Sequence, residues 1–150
     1  MKAYDLSKLE VIIAEPNEQM RDVLREVMSA FGVEDMRICA NGKDVVEELQ
    51  RRPADLVFTA WNMKPMDGIA LVEWLRQDQA SPAHHVPIVM ITARTDRKDV
   101  VKARESGVTA YLAKPVTPER IYQRIADIVE RAKKSKAKAS GRATSGASAA

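Results

Sequence analysis

Residues 9–21 read LEVIIAEPNEQMR, and this stretch decides the fold. Its first six residues, 9–14, form a short and nearly all-apolar run rich in branched side chains, which is typical of a strand buried on both faces. After Pro16 and Asn17, apolar side chains follow at helical spacing, namely Met20, Val23, Leu24, Val27, Met28 and Phe31. The pattern predicts a buried strand followed directly by a helix that ends at Gly32.

The same alternation of strand and helix repeats four more times along the chain. Further strands are predicted at 36–39, 55–60, 87–93 and 109–113, each with a helix after it. This order predicts right-handed crossovers and one five-stranded parallel sheet covered by helices on both faces. The expected fold class is therefore α/β, doubly wound. In such a sheet, ligand chemistry gathers at the carboxyl ends of the strands.

The 150-residue chain carries a formal charge of +3, and this charge is unevenly distributed. Residues 132–150 contain four Lys, one Arg and no acidic residue, so they carry +5 and leave −2 for residues 1–131. These last residues also lack any apolar side chain larger than Ala, so burial cannot offset the entropy of ordering them. We expect one domain over 1–131 and a disordered tail over 132–150, with the last helix extended into it by a turn or two.

Composition excludes several classes of protein. The single Cys39 cannot form an internal disulfide and offers no set of metal ligands, which favours a reducing cytoplasm. The sequence has no apolar stretch of 18 residues, so no membrane span is expected. The lysines of the tail predict only weak, salt-sensitive attraction to anionic partners, because they are not accompanied by aromatic side chains or spaced arginines. We therefore expect a cytoplasmic protein with no specific nucleic acid partner.

Four motifs at the ends of predicted strands resemble the receiver domain of two-component response regulators, the CheY-like family. They are AEPNEQMR from residue 14, TAWNMKPMDG from residue 59, MITA from residue 90 and YLAKP from residue 111. The resemblance covers residues 9–131 in order and with matching gaps. It implies a flavodoxin-like sheet with the strand order 2-1-3-4-5.

The resemblance also implies a set of site residues. In this family an Asp at the end of strand three accepts a phosphoryl group, and two acidic residues after strand one hold Mg²⁺. A Thr or Ser on strand four contacts the phosphoryl group, an aromatic residue on strand five responds to it, and a Lys before a cis proline completes the site. At the matching positions this chain has Glu15 as the first acid, then Thr92, Tyr111 and Lys114.

Two positions depart from the family pattern. Pro16 stands where the second acid belongs, and Ala60 stands where the acceptor Asp belongs. Ala has no nucleophile, and Glu15 with the side-chain carbonyl of Asn62 is a poor ligand set for Mg²⁺. We expect no phosphorylation at position 60, weak or absent magnesium binding, no other cofactor and no enzymatic activity. The change at two positions favours a natural pseudo-receiver over an engineered loss of the acceptor.

Four side chains in the motifs call for a specific interpretation. Lys114 has lost its usual carboxylate partner, so we expect it to pair with Glu15, with a swing to solvent as the alternative. Thr92 and Tyr111 form either a two-position switch that a partner drives or an ordinary pair of strand residues. Asp67 is expected to cap the helix after it and not to accept phosphate.

The predicted fourth helix is basic and has only Val100 and Val101 as apolar anchors. Its basic residues, with the one just before it, are Arg94, Arg97, Lys98, Lys102 and Arg104. Ion pairs such as Asp99 to Lys102 are expected along it. In receivers, partners dock on the face made by helix four, strand five and helix five. These basic residues, together with Tyr111, are therefore the predicted partner face.

The leading interpretation is a stand-alone receiver-like protein that acts as a phosphorylation-independent interaction module in two-component, phosphorelay-type signalling. Its expected partner is another signalling protein, such as a histidine kinase or an output protein, and a homodimer through the same face stays open. A second hypothesis is a receiver that accepts phosphate on a displaced residue. A third is a receptor for an anionic small ligand such as a cyclic dinucleotide, because arginines on the fourth helix can bind phosphate bidentately.

Overall fold

The structure is a computed structural model that describes the backbone of residues 4–149 and the side chains of residues 4–138. In this part of the chain, five strands alternate with five helices. The strands are β1 (Glu10–Ala14), β2 (Asp35–Cys39), β3 (Leu56–Thr59), β4 (Ile88–Thr92) and β5 (Ala110–Ala113). The helices are α1 (Glu18–Ala30), α2 (Gly42–Arg51), α3 (Gly68–Gln77), α4 (Arg97–Ser106) and α5 (Pro118–Ala149). The predicted alternation is confirmed, and no strand boundary is displaced by more than one residue.

The five strands form one parallel sheet in the order β2-β1-β3-β4-β5. The chain starts at β1, adds β2 on one side, and then returns past β1 to build β3, β4 and β5 on the other side. This reversal leaves the carboxyl ends of β1 and β3 adjacent, and ligands of such sheets bind in the crevice at this point. The predicted fold class and strand order are confirmed.

Two apolar layers hold the helices against the sheet, because successive side chains of a strand point to opposite faces. On one side, Ile13 and Phe58 pack with Leu24 and Met28 of α1 and with Ile125 of α5. The layer on the other side joins strands to α2 and α3 and includes Ile12, Val57, Val45, Leu71 and Leu75. Both faces of the central strands are therefore buried, as their apolar sequences predict.

Side-chain caps fix where three of the helices begin. Asn17, Asn41 and Asp67 each accept a hydrogen bond from the backbone N–H three residues later, at 2.9, 3.0 and 2.8 Å. These bonds satisfy amides that the first turn of a helix leaves without a partner, and losing one costs about 1 kcal/mol. The capping role predicted for Asp67 is confirmed.

Two predicted apolar anchors are wrong. The spacing predicts Val23 on the buried stripe of α1, but its side chain is 50% exposed because it lies at the margin of that stripe. In α4, Val101 is 40% exposed, whereas Ala103 is fully buried and packs in a cluster with Trp61 and Met90. A search for large apolar residues misses Ala103. Its small side chain stabilises α4 by letting the helix approach Trp61 and Met90 closely, and not by burying a large area of its own.

Helix α5 continues through the segment that the sequence predicts to be disordered. In the described part of this helix, Ile128 is the last buried side chain, and Ala and Lys dominate the sequence beyond it. Both residue types have high helix propensity, so a helix anchored at one end propagates without further burial. The Tyr4 hydroxyl donates a hydrogen bond to Glu130 at 2.6 Å, and the Lys133 ammonium lies 5.1 Å from the centre of the Tyr4 ring. These contacts from the N-terminal segment support the added turns.

No helix within residues 4–149 is both long enough and apolar enough to cross a membrane. Residue 150, the last position of the predicted tail, lies outside the described residues.

Candidate functional site

The candidate site lies at the carboxyl ends of four neighbouring strands. Glu15 follows β1, Ala60 follows β3, Thr92 ends β4, and Lys114 follows β5. Parallel packing brings these ends to one edge of the sheet, although the residues are far apart in the sequence. The structure therefore gathers in one place four of the positions that the resemblance selects.

Glu15 and Lys114 form an ion pair at the centre of the site. The Lys114 ammonium donates a hydrogen bond to Glu15 Oε1 at 2.9 Å, and Asn17 N–H donates to the other carboxylate oxygen at 3.0 Å. The Glu15 side chain is only 4% exposed and that of Lys114 is 29% exposed. The predicted pairing is thus present, and Lys114 does not swing to solvent. The Lys114–Pro115 peptide bond is cis, as the resemblance implies.

Ala60 presents a methyl group where the family has a carboxylate. The residue is buried, and its backbone N–H donates to the carbonyl oxygen of Ala14 at 2.9 Å. Its own carbonyl accepts a hydrogen bond from the Thr59 hydroxyl at 2.9 Å. Gly68, the first residue of α3, approaches this carbonyl so closely that a Cβ atom there would lie 2.0 Å from the oxygen. The backbone around position 60 is therefore held tightly, and no side-chain nucleophile extends from it.

An open cleft of about 720 Å³ lies among the loops that follow β1, β2 and β3. Its lining residues are Pro16, Ala40, Asn62, Met63, Lys64 and Asp67. The exposed Pro16 ring forms part of the wall at the position of the family's second acid. The Asp67 carboxylate accepts a hydrogen bond from Ala70 N–H and so caps α3, which is a structural role and not that of a phosphoryl acceptor.

Arg94 joins the site through contacts that the sequence does not predict, three from its side chain and two from its backbone. Its guanidinium lies 4.6 Å from the centre of the Trp61 ring and donates a hydrogen bond to Asn62 Oδ1 at 2.9 Å. A guanidinium nitrogen also lies 3.7 Å from an Asp99 carboxylate oxygen. Asp99 is therefore paired with Arg94 and not with Lys102. The ion pair expected between Asp99 and Lys102 is wrong, because Arg94 reaches Asp99 from the loop before α4.

Thr92 and Tyr111 both bind the backbone of Arg94. The Thr92 hydroxyl accepts a hydrogen bond from Arg94 N–H at 3.2 Å, and the Tyr111 hydroxyl donates to the Arg94 carbonyl oxygen at 2.5 Å. Burial raises the pKa of Tyr111 above its ordinary value, and the nearby Asp99 carboxylate adds to this shift. Tyr111 therefore stays protonated at neutral pH and can keep donating this bond.

The two residues expected to supply magnesium ligands already accept hydrogen bonds from cationic groups. Glu15 accepts one from Lys114, and Asn62 accepts one from Arg94. Across the described part of the chain, no group of three or more His, Cys, Asp or Glu side chains is arranged to hold a metal ion. The donor set consists of one paired carboxylate and one engaged amide oxygen, which does not match the oxygen-rich octahedral geometry of Mg²⁺.

The predicted partner face is exposed and contains a groove. Arg97, Lys98, Lys102 and Arg104 all have exposed side chains on α4. Beside them, a groove of about 530 Å³ runs between the start of α4, β5 and α5. It is lined by Thr95, Val100, Tyr111, Leu112, Ala113, Arg120, Gln123 and Arg124. The half-buried Tyr111 therefore connects the site to this groove.

Comparison with known proteins agrees with the geometry. The family model for the response regulator receiver domain matches residues 11–126 of this chain. The chain is 28% identical to the chemotaxis protein CheY-3 of Vibrio cholerae over 131 residues, which are 87% of this chain and 99% of that protein. It is 29% identical to the chemotaxis protein CheY1 of Helicobacter pylori over 118 residues, covering 78% and 94% of the two chains.

Solved structures share the fold. The Francisella response regulator 1452 receiver domain superimposes with a TM-score of 0.76 at 20% identity and covers 83% of this chain and 99% of its own. The Vibrio cholerae chemotaxis protein CheY4 gives 0.72 at 22% identity, with coverages of 80% and 98%. With the family model spanning β1 to α5 and the strand order observed, the chain belongs to the response regulator receiver domain family.

Proposed function

We propose that this receiver acts in two-component signalling as a phosphorylation-independent protein interaction module. The observation that carries the proposal is the methyl group of Ala60 at the carboxyl end of β3. Transfer of a phosphoryl group needs a nucleophile at that position, and the Ala side chain has none. Proteins of this family act through contacts with other signalling proteins, and such contacts do not require chemistry at position 60.

Weak magnesium binding is part of the proposal. A cation at this site would have to displace Lys114 from Glu15 and Arg94 from Asn62, with no second carboxylate at position 16 to assist it. Mg²⁺ gives up its water molecules reluctantly and usually needs at least one or two free carboxylates. The same features support a protein without enzymatic activity or cofactor.

The conformation of the β4–α4 loop is expected to depend on Arg94 instead of on phosphate. Arg94 ties the loop to Trp61 and Asn62 on the β3 side, and its backbone holds Thr92 and Tyr111. These contacts are internal to the protein and need no external trigger. A partner that binds beside Tyr111 would therefore meet one preset arrangement of the loop.

The proposed partner face is formed by α4, β5 and α5. Exposed arginines and lysines surround the groove that contains Tyr111, so the face suits a partner with acidic side chains around an apolar centre. The occupant is expected to be a histidine kinase or an output protein of the same pathway. The relatives CheY-3 and CheY1 are matched over 99% and 94% of their own length, so the chain covers these receivers almost completely.

Incubation of the full chain with acetyl phosphate and Mg²⁺, followed by intact mass spectrometry, tests the proposal. We expect no change in mass. A stoichiometric phosphoryl adduct would overturn phosphorylation independence, and peptide mapping would then identify the displaced acceptor residue.

A capture experiment tests the partner face separately. The wild-type chain is compared with the R97E/K98E variant on α4 and with the K43E/R51E variant on α2. We expect bound signalling proteins to be lost only with the α4 variant. Equal capture by all three chains would contradict the assignment of this face.

A further inference from the structure

The second half of α5 carries a basic surface that the receiver site does not use. From Arg131 to Lys138 every side chain is exposed, and five of these eight residues are basic: Arg131, Lys133, Lys134, Lys136 and Lys138. We propose that this half of α5 binds duplex DNA through the phosphate backbone, without recognising a base sequence, and that the row formed by Arg131, Lys134 and Lys138 makes the contacts.

Helical spacing arranges these charges in a row. Arg131, Lys134 and Lys138 stand at i, i+3 and i+7, which places them on one side of the helix over about 10 Å. Arg120 and Arg124 continue the same side toward the start of α5, so the row extends over about 27 Å. An ion pair at 3.4 Å between Arg124 and Asp127 partly neutralises that first half. The charge excess therefore lies beyond residue 130.

Two more lysines lie on the far side of the helix from this row. At about 100° per residue, Lys133 and Lys136 face roughly opposite to the row and line a groove there together with Lys8 from the N-terminal segment. The groove also contains Asp5 and Asp55, so the row on the outer side of the helix is the more strongly positive surface.

The charges of the row are not balanced within the protein. Across residues 4–138, no ion pair joins Lys134 or Lys138 to a carboxylate. The sequence contains no acidic residue after Glu130. Like charges three or four residues apart on a helix repel each other. A polyanion that lies along the row relieves this repulsion, so its binding is favourable even without other contacts.

The composition of the segment decides which polyanion fits. A helix that binds a membrane surface needs large apolar side chains on one face, and residues 131–150 have no apolar side chain larger than Ala. Protein interfaces depend on buried aromatic, Met and Arg anchors and are depleted in Lys. Single-stranded nucleic acid requires aromatic side chains on which bases stack. A duplex needs only cations spaced along its phosphates, which this helix provides.

Fluorescence anisotropy with a labelled DNA duplex of about two helical turns tests the proposal on the full chain. Binding is measured between about 50 and 200 mM salt. A plot of the logarithm of the affinity against the logarithm of the salt concentration falls with a slope of about 0.9 for each phosphate contact. In the K134Q/K138Q variant we expect this slope to become shallower by about 2, because two phosphate contacts are lost. The affinity at the lowest salt concentration should fall roughly tenfold or more. The K43Q/R51Q variant loses the same charge from α2 and is expected to bind as the wild type does.

Several results would overturn the proposal. The first is the absence of duplex binding at the lowest salt concentration, and the second is an equal loss of affinity in both variants. A third is tighter binding to phosphatidylglycerol vesicles, polyglutamate or the single strand of the same sequence than to the duplex. Equal affinity for two duplexes of unrelated sequence is expected, whereas a strong preference for one of them would contradict backbone binding. Circular dichroism verifies that both variants keep their helix content.

Discussion

Lys114 and Glu15 are 99 positions apart in the sequence, yet the Lys114 ammonium lies 2.9 Å from Glu15 Oε1. The pair joins the end of β1 to the end of β5 across the site where a receiver with an acceptor would hold its phosphoryl group. Because the Glu15 carboxylate is almost fully buried, its charge depends on this one ammonium and on the amide of Asn17.

The E15Q variant is expected to be less stable than the wild type by about 1–3 kcal/mol, because Lys114 then loses the carboxylate that compensates its desolvation. Urea unfolding at neutral pH measures the difference. The E18Q variant, which removes an exposed carboxylate from the first turn of α1, serves as the control. Adding K114M to E15Q should restore part of the lost stability, since an apolar side chain needs no partner. Unchanged stability of E15Q would show that the pair contributes nothing.

Restoring two carboxylates is expected to restore acceptor chemistry. In the P16D/A60D variant, the new Asp at 60 provides a nucleophile, and the one at 16 provides a second ligand for Mg²⁺. Acetyl phosphate should then add one phosphoryl group, detected by intact mass, only when Mg²⁺ is present. The single variant A60D should react far more slowly. Equal labelling of both variants would mean that Pro16 does not limit the site.

Removing the Arg94 side chain should expose Trp61. In the R94Q variant the cation no longer covers the indole ring, so acrylamide is expected to quench Trp61 fluorescence more strongly. The measurement uses a W74F background, because Trp74 is the second tryptophan of the chain. The loss of stability should be small, about 0.5–1 kcal/mol for a partly exposed cation–π contact. R97Q, which changes the exposed first residue of α4, should leave the quenching unchanged.

The Cys39 thiol is expected to be unreactive in the folded protein. Burial raises its pKa from 9.0 to about 12, so only about one thiol in ten thousand is ionised at pH 8. Labelling with a chromogenic disulfide reagent should be slow in buffer and fast in urea. Rapid labelling of the native chain would contradict the burial of this residue.

The same shift predicts a loss of stability at alkaline pH. Above a pH of about 9 the unfolded chain releases the Cys39 proton while the folded chain keeps it, so unfolding becomes easier as pH rises toward 12. The raised pKa of Tyr111 acts in the same direction. Urea unfolding at several pH values should therefore show a falling stability that is less steep in the C39A variant.

Two glycines should differ in their tolerance of a methyl group. A Cβ atom at Gly68 would lie 2.0 Å from the Ala60 carbonyl oxygen, so G68A is expected to destabilise the fold by at least about 1–3 kcal/mol. Gly32 has open space around it but a φ of +94°, so G32A should cost only about 1 kcal/mol of backbone strain. Thermal unfolding compares the two, and a smaller loss for G68A would contradict the close packing beside position 60.

The sequence predicts the fold well because its strands are buried on both faces. Continuous apolar runs such as residues 9–14 mark the strands, and Asn and Asp caps mark the starts of three helices. The site positions follow from motifs at strand ends, and the Glu15–Lys114 pair follows from charge balance between a buried carboxylate and a partly buried ammonium. In each case a local pattern or a simple energetic rule is sufficient.

The remaining features depend on long-range geometry. Arg94 reaches back to Trp61 because β3 and β4 are adjacent, and no local pattern shows where a long flexible side chain settles. The anchor Ala103 is too small to stand out in a hydrophobicity pattern. Helix α5 continues beyond Ile128 because adding residues to a helix that is already formed avoids the unfavourable nucleation step. The composition of the segment by itself does not show that a formed helix precedes it.

Helix α5 is one continuous element that belongs to two regions of the molecule. Its isoleucines fix one half beneath the sheet, and the other half projects as a lever arm of about 30 Å beyond Ile128. A tilt of about 10° at the anchored half would displace the far end by about 5 Å. The helix therefore amplifies small shifts in the core into movements large enough to be followed by a pair of labels, one on the arm and one on α2.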